Sequence, residues 1–199
     1  PGRSHLAHRL TIVSSVVGDR AVVAAWVGST NLGDELVFSV LRRLLADRGV
    51  SAAVPSLDPE GTSATYGVDA FGHLDPRALR KHLHTADTLV FGGGGLLQDE
   101  TSIWNLSWHL SRIRAARRAG VPWAGVGLGA SGLTTPRGRR RVAAVLVDHV
   151  AIAVRDQPSA EILANLGVPR VARAADLAWL VDPPDRRGSG VLAVCLRNP

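Results

Sequence analysis

The sequence predicts an α/β fold built on a doubly wound parallel sheet, and three observations carry that reading. Apolar runs of strand length alternate with helix-length amphipathic segments almost throughout the 199 residues. Such alternation calls for parallel strands joined by helices that cover both faces. The unusual sequences all fall where a strand hands over to a helix, and right-handed crossovers put every such junction on one edge of the sheet. That edge is where open α/β sheets bind their ligands.

The elements follow in order. Ala21–Val27 is the first strand. A helix from about Glu35 to Arg48 sets Leu36, Val37, Val40, Leu41, Leu44 and Leu45 on one face, and Gly49 ends it. Val50–Val54 is the second strand. Pro55–Leu74, rich in Gly, Ser, Thr and Pro, reads as a loop. Asp75-Pro76 opens a helix with an N-cap and a proline at the first helical position. Thr88–Phe91 is the third strand, and Thr101 or Asn105 caps the helix that runs to Arg118 and stops at Gly120. Val121–Val126 is the fourth strand, and Pro136–Val150 the helix after it. Ala151–Val154 is the fifth strand, Pro158–Leu166 a helix closed by Gly167, and Val171–Ala174 a sixth strand. Asp182–Gly190 reads as a linker, and the apolar run Val191–Leu196 as the first strand of a second lobe. The expected organisation is an unassigned segment over 1–20, a lobe over 21–182, a linker over 183–190 and the start of another lobe over 191–199.

Composition narrows the function classes. With 46% hydrophobic residues the chain can bury the core of one ordinary domain. Its single cysteine, Cys195, excludes an internal disulfide and any multi-cysteine metal site, and its apolar surroundings read as a buried thiol. No run approaches the ~20 apolar residues of a membrane span, and Leu10–Val17 lacks a cleavage pattern, so cytoplasm is the default. The net charge of +6 is carried almost wholly by arginine, in two clusters: Arg112, Arg114, Arg117, Arg118, and Arg137, Arg139, Arg140, Arg141. They read either as solvated helix faces or as attraction to an anionic partner, including peripheral contact with a membrane. Nucleic acid is not expected, because aromatic residues make up only 5% of the chain and do not interleave with the arginines. His82 and His84, two apart on a helix, point to different faces, so no histidine pair suggests a metal.

The candidate site lies at the strand ends. Asn31-Leu32-Gly33-Asp34-Glu35 follows the first strand. Asp34 reads as an N-cap and Gly33 as a left-handed turn, roles that leave both open as substrate-binding residues, while Asn31 and Glu35, unexplained by capping, bind sugar hydroxyls or order the loop. Gly92, Gly93, Gly94 and Gly95 follow the third strand between apolar flanks, which favours a tight ligand-facing turn over a flexible linker. Gln98, Asp99 and Glu100 come next; an acid here either caps a turn or serves as a general acid or base, and Asp99 is the stronger candidate. Gly125, Gly127 and Gly129 only superficially match a dinucleotide fingerprint, with Ala130 in the third position and Asp148 loosely in the acidic one. Arg155-Asp156 follows the fifth strand and reads as a structural ion pair or as a bidentate holder of phosphate or carboxylate; Arg197 ends the last strand in the same manner.

Taken in order, these motifs resemble the polysaccharide pyruvyl transferase family. The resemblance rests on Asn31–Glu35, Ala86-Asp87, Phe91–Asp99, Gly125–Gly129, Val154-Arg155-Asp156 with Ser159, Leu163 to Gly167-Val168, and Ala175-Asp176. It departs from the family pattern at Val126 and Ala130, where glutamine and proline are usual. It implies a Rossmann-like lobe of an enzyme whose two lobes are arranged as in GT-B glycosyltransferases. It further implies transfer of a pyruvyl unit from phosphoenolpyruvate to a sugar or lipid-linked saccharide as a ketal, in surface-polysaccharide biosynthesis. No cofactor is implied, and phosphoenolpyruvate is a substrate. By the same resemblance the second lobe supplies a histidine and arginines, so residues 1–199 alone are expected to show no turnover. Two other readings stay open. One is a GT-B-type glycosyltransferase using a nucleotide sugar; the other is a non-catalytic sugar- or phosphate-binding lobe, which the altered glycine loop keeps in play.

Overall fold

The computed structural model describes residues 18–181. The expected linker at 183–190, the strand Val191–Leu196, Cys195 and Arg197 lie outside the described residues. Seven strands form one all-parallel sheet in the order β3-β2-β1-β4-β5-β6-β7. They are β1 (Arg20–Ala24), β2 (Ser51–Ser56), β3 (Asp69–Gly72), β4 (Thr88–Gly94), β5 (Trp123–Leu128), β6 (Ala151–Val154) and β7 (Val171–Arg173). Six helices connect them: α1 (Leu32–Ala46), α2 (Pro59–Tyr66), α3 (Pro76–Leu83), α4 (Ile103–Arg118), α5 (Pro136–Val145) and α6 (Gln157–Asn165). A single 3-10 turn, Leu177–Leu180, follows β7. The arrangement is Rossmann-like.

The side-chain period of a strand explains the two layers. In β1, Val22 and Ala24 point into a core with α3, α4 and α5, whereas Ala21 and Val23 point into one with α1. Leu79, Leu83, Leu106, Leu110, Ile113 and Val142 fill the first core, and Val37, Phe38, Leu41 and Leu45 the second. The central strands are buried on both faces, so they read as unbroken apolar runs.

The segment Pro55–Leu74, expected to be a loop, holds a complete helix and strand. The helix α2 buries only Thr62, and β3 only Phe71, so neither writes an apolar period into the sequence. The usable signal was at the helix ends. Asp58 accepts from the Gly61 N–H and is followed by Pro59, the same device as Asp75-Pro76, and Gly67 closes the helix in the left-handed conformation. Elsewhere the boundaries move by a few residues; the cap of α4 is Ser102, which accepts from the Trp104 N–H, and α5 stops at Val145.

Candidate functional site at the switch point

The chain winds outward from β1 to β2 and β3, then returns to lay β4 on the other side of β1. Helices after β1 and β4 therefore leave in opposite directions, and a crevice opens between them at the carboxyl edge. The start of α1 at Asn31–Glu35 and the end of β4 at Gly92–Gly95 flank that crevice, and Arg155 follows β6 on the same edge.

In the first loop the roles differ from those expected. Asn31, not Asp34, caps α1 by accepting from the Gly33 N–H at 3.1 Å. Gly33 already lies inside the helix, and the positive φ falls on Gly28 and Thr30. Glu35 orders the loop. Its Oε1 accepts from the Gly28 N–H at 2.7 Å and its Oε2 from the Tyr66 hydroxyl at 2.7 Å. Burial and the Glu35 bond push the Tyr66 hydroxyl up to about 12. Relieved of capping, Asp34 turns toward β4: a Cβ on Gly94 would lie 2.7 Å from its Oδ1. Burial, with Glu35 beside it, raises the Asp34 pKa, and Arg155 only partly offsets this.

Gly92, Gly93 and Gly94 belong to β4 rather than to a turn, and all three are buried. The reason for glycine is close approach. Gly92 pairs with Val126 at φ +155, and a Cβ there would sit 2.1 Å from the Val126 carbonyl oxygen. A Cβ on Gly93 would meet Val37, as one on Gly94 would meet Asp34. The exposed turn begins at Gly95. The Gly94 carbonyl accepts from the Gly129 N–H at 3.0 Å, so the loops after β4 and β5 continue the ladder. Gly127, buried at φ +62, is covered by Leu177 from the 3-10 turn.

Asp99 and Gln98 are both engaged by neighbouring loop residues. Gln98 clasps its own turn through Thr101. Asp99 is 6% exposed and accepts from the Thr134 N–H at 2.8 Å, the Thr135 N–H at 3.3 Å and both threonine hydroxyls. Burial alone would raise its pKa, but these bonds outweigh it and hold the carboxyl below its ordinary range. A carboxylate so engaged, at the start of α5, clasps two loops together, and its lowered pKa makes it a weaker proton donor than the general acid expected of Asp99.

Arg155 stands among four acidic and glycine positions. Its Nη1 pairs with Asp176 Oδ2 at 3.1 Å and its Nε with Asp156 Oδ2 at 3.5 Å. A Cβ on Gly129 would lie 2.7 Å from Nε and 3.0 Å from Nη2, and one on Gly95 3.9 Å from Nη2. The side chain is 31% exposed. Asp156 also caps α6 by accepting from the Ser159 N–H, while Ser159 Oγ accepts from the Ala130 N–H at 2.8 Å. Two carboxylates thus fix the fork and leave Nη2 on the glycine side, where backbone is thin enough for an anion to approach.

Two further expectations change. Asp148 binds the Trp123 indole N–H and the Arg117 guanidinium at the opposite edge, where β5 begins, so it does not complete a dinucleotide site. Arg112 is no solvated residue: it is 5% exposed, lies 3.0 Å over the Trp108 ring and donates to the Trp108 and His73 carbonyls. Arg117, Arg118, Arg137 and Arg140 are exposed. Among the described residues no group of three metal-ligating side chains occurs, and no helix is long and apolar enough to cross a membrane.

A family model described as polysaccharide pyruvyl transferase matches residues 31–193. No curated protein matches. Similar solved structures include saccharopine dehydrogenase (L-Glu forming) from Saccharomyces cerevisiae, at 16% identity and a TM-score of 0.42 over 74% of this chain and 30% of that one. A hypothetical protein from Streptococcus mutans matches at 12% identity and a TM-score of 0.46, over 80% of this chain and 58% of that one. A formate dehydrogenase from Granulicella matches at 10% identity and a TM-score of 0.42, over 86% and 44%. The chain therefore spans between 30% and 58% of the length of these structures.

Proposed function

The chain belongs to the polysaccharide pyruvyl transferase family, and from that premise we propose that its switch-point crevice works on phosphoenolpyruvate and a saccharide. The observation that carries this is Arg155, fixed by Asp156 and Asp176 with Nη2 left toward Gly95 and Gly129. In the proposed reaction the enol methylene takes up a proton, leaving a cationic carbon. Two sugar hydroxyls add to that carbon, and phosphate departs with its C–O bond. One hydroxyl proton replaces the one consumed and the other leaves with the phosphate, so the products are a pyruvate ketal and inorganic phosphate.

Arg155 binds the donor's carboxylate or phosphate and keeps its charge in place while the cation develops. Asp34 supplies the proton in this reading, taking the role first expected of Asp99. It accepts no hydrogen bond from a described residue, lies near Arg155, and has a raised pKa. An anionic donor arriving beside it favours its protonated form further. Asn31, Gly33 and Glu35 shape the loop that holds Asp34. The site acts on the cytoplasmic side, where phosphoenolpyruvate is available.

Full-length protein titrated with phosphoenolpyruvate and with nucleotide sugars tests the reading. Phosphoenolpyruvate should bind, and Arg155→Ala should weaken it about ten- to hundredfold while the protein stays folded, as expected for one charge-assisted contact. Binding of a nucleotide sugar without phosphoenolpyruvate would refute it and leave the glycosyltransferase reading.

A further inference from the structure

A depression of about 480 Å³ opens beside Arg155, within the roughly 300–1,000 Å³ of small-molecule sites. Arg155, Asp156, Arg173, Asp176 and Trp179 are among its lining. Trp179 is 81% exposed. Exposed large side chains are common singly and mean little alone. Trp104, equally exposed at the first turn of α4, is not part of this lining.

Trp179 differs because it lines the depression and its backbone is anchored. The 3-10 turn that carries it is pinned at both ends. Leu177 is buried over Gly127, and the Leu180 carbonyl accepts from Arg43 Nη2 at 2.7 Å. Asp176 starts the turn by accepting from the Ala178 N–H at 3.0 Å, and its carbonyl accepts from the Trp179 N–H at 3.1 Å. The same Asp176 carboxylate holds Arg155 Nη1. One acidic residue therefore sets both the guanidinium and the backbone of the indole. The indole lines the depression with most of its surface in water.

We infer that this depression is the acceptor subsite, with Trp179 as a stacking platform for the apolar face of a pyranose ring. The ring's hydroxyls would meet the mixed acidic and guanidinium wall, which offers both acceptors and donors, and Arg173 adds a second cation to it. A sugar seated there lies next to Arg155. That position rests on the proposed reading of Arg155 as the donor's anchor, and it brings acceptor hydroxyls alongside the donor.

The test needs neither donor nor turnover, so it separates this inference from the reading of the reaction. Methyl glycosides of glucose, galactose and mannose are added to the full-length protein, and saturation-transfer NMR records which protons touch it. At least one glycoside should show transfer concentrated on the hydrogens of one ring face. Trp179→Ala should weaken it about tenfold, Trp179→Phe should keep most of it, and phosphoenolpyruvate affinity should stay within twofold in both. If the alanine variant does not fold, Trp179→Gln takes its place. No binding of any glycoside, equal binding in wild type and variant, or preference for uridine monophosphate over every glycoside would each overturn the inference. Failure of phosphoenolpyruvate to bind, with Trp179-dependent glycoside binding intact, would sink the proposed reaction and spare the subsite.

Discussion

Replacing Asp99 with alanine separates a carboxylate that holds the fold from one that moves protons. The side chain accepts from two backbone N–H groups, of Thr134 and Thr135, and from their two hydroxyls. Hydrogen bonds to a charged group are worth roughly 1.5–3 kcal/mol each. Thr134 and Thr135 are exposed, so their freed donors regain water and the sum falls well short of four full bonds. The loss of a negative charge at the N-terminus of α5 adds about 0.3–1 kcal/mol. The expected cost of Asp99→Ala is about 2–4 kcal/mol. Equilibrium urea unfolding reads it as a lower midpoint at unchanged slope. The pH dependence gives a second check with a defined sign. Because the folded-state pKa lies below the ordinary 3.8, the stabilisation is fully present above that value and disappears as pH falls through the folded pKa. The gap between wild type and variant should therefore begin to narrow only below pH 3.8 and close as pH falls through the lower folded-state pKa. A variant within 1 kcal/mol of wild type that has lost most of its turnover would refute the clasp and return Asp99 to the chemistry.

Asp34→Asn should lower the rate about 10²–10⁴-fold. A general acid must be protonated to act, so wild-type activity should fall as pH rises through the raised Asp34 pKa; the same limb persisting in Asp34→Asn, measured by a pH–rate profile, would exclude the role. Gly92→Ala should cost at least about 3 kcal/mol, because its Cβ meets the Val126 carbonyl in the centre of the sheet. Gly120→Ala is the control: its φ is also positive, at +71, but nothing lies within 4 Å, so only the left-handed strain of about 1–2 kcal/mol is expected. Urea midpoints of the two variants compare them directly.

Local pattern determined much about this protein. The central strands were legible because buried parallel strands are apolar on both faces, the outer ones from short apolar runs between helices, and the long helices because their buried stripes recur at helical spacing. The placing of the unusual turns on one edge followed from alternation and crossover handedness alone. The helix α2 and strand β3 were hidden because each buries a single residue, so only their caps signal them. Side-chain roles were decided by tertiary structure. Asn31 and Asp34 are both competent caps in sequence, and only the path out of β1 decides that Asn31 caps while Asp34 faces β4. Asp99 reads as a free acid until the loop after β5 arrives with its threonines, some 35 residues later in the chain. Arg155 and Trp179 become neighbours of one depression only because Asp176 bonds to both. Burial and partners are properties of distant segments meeting, and a linear pattern does not contain them.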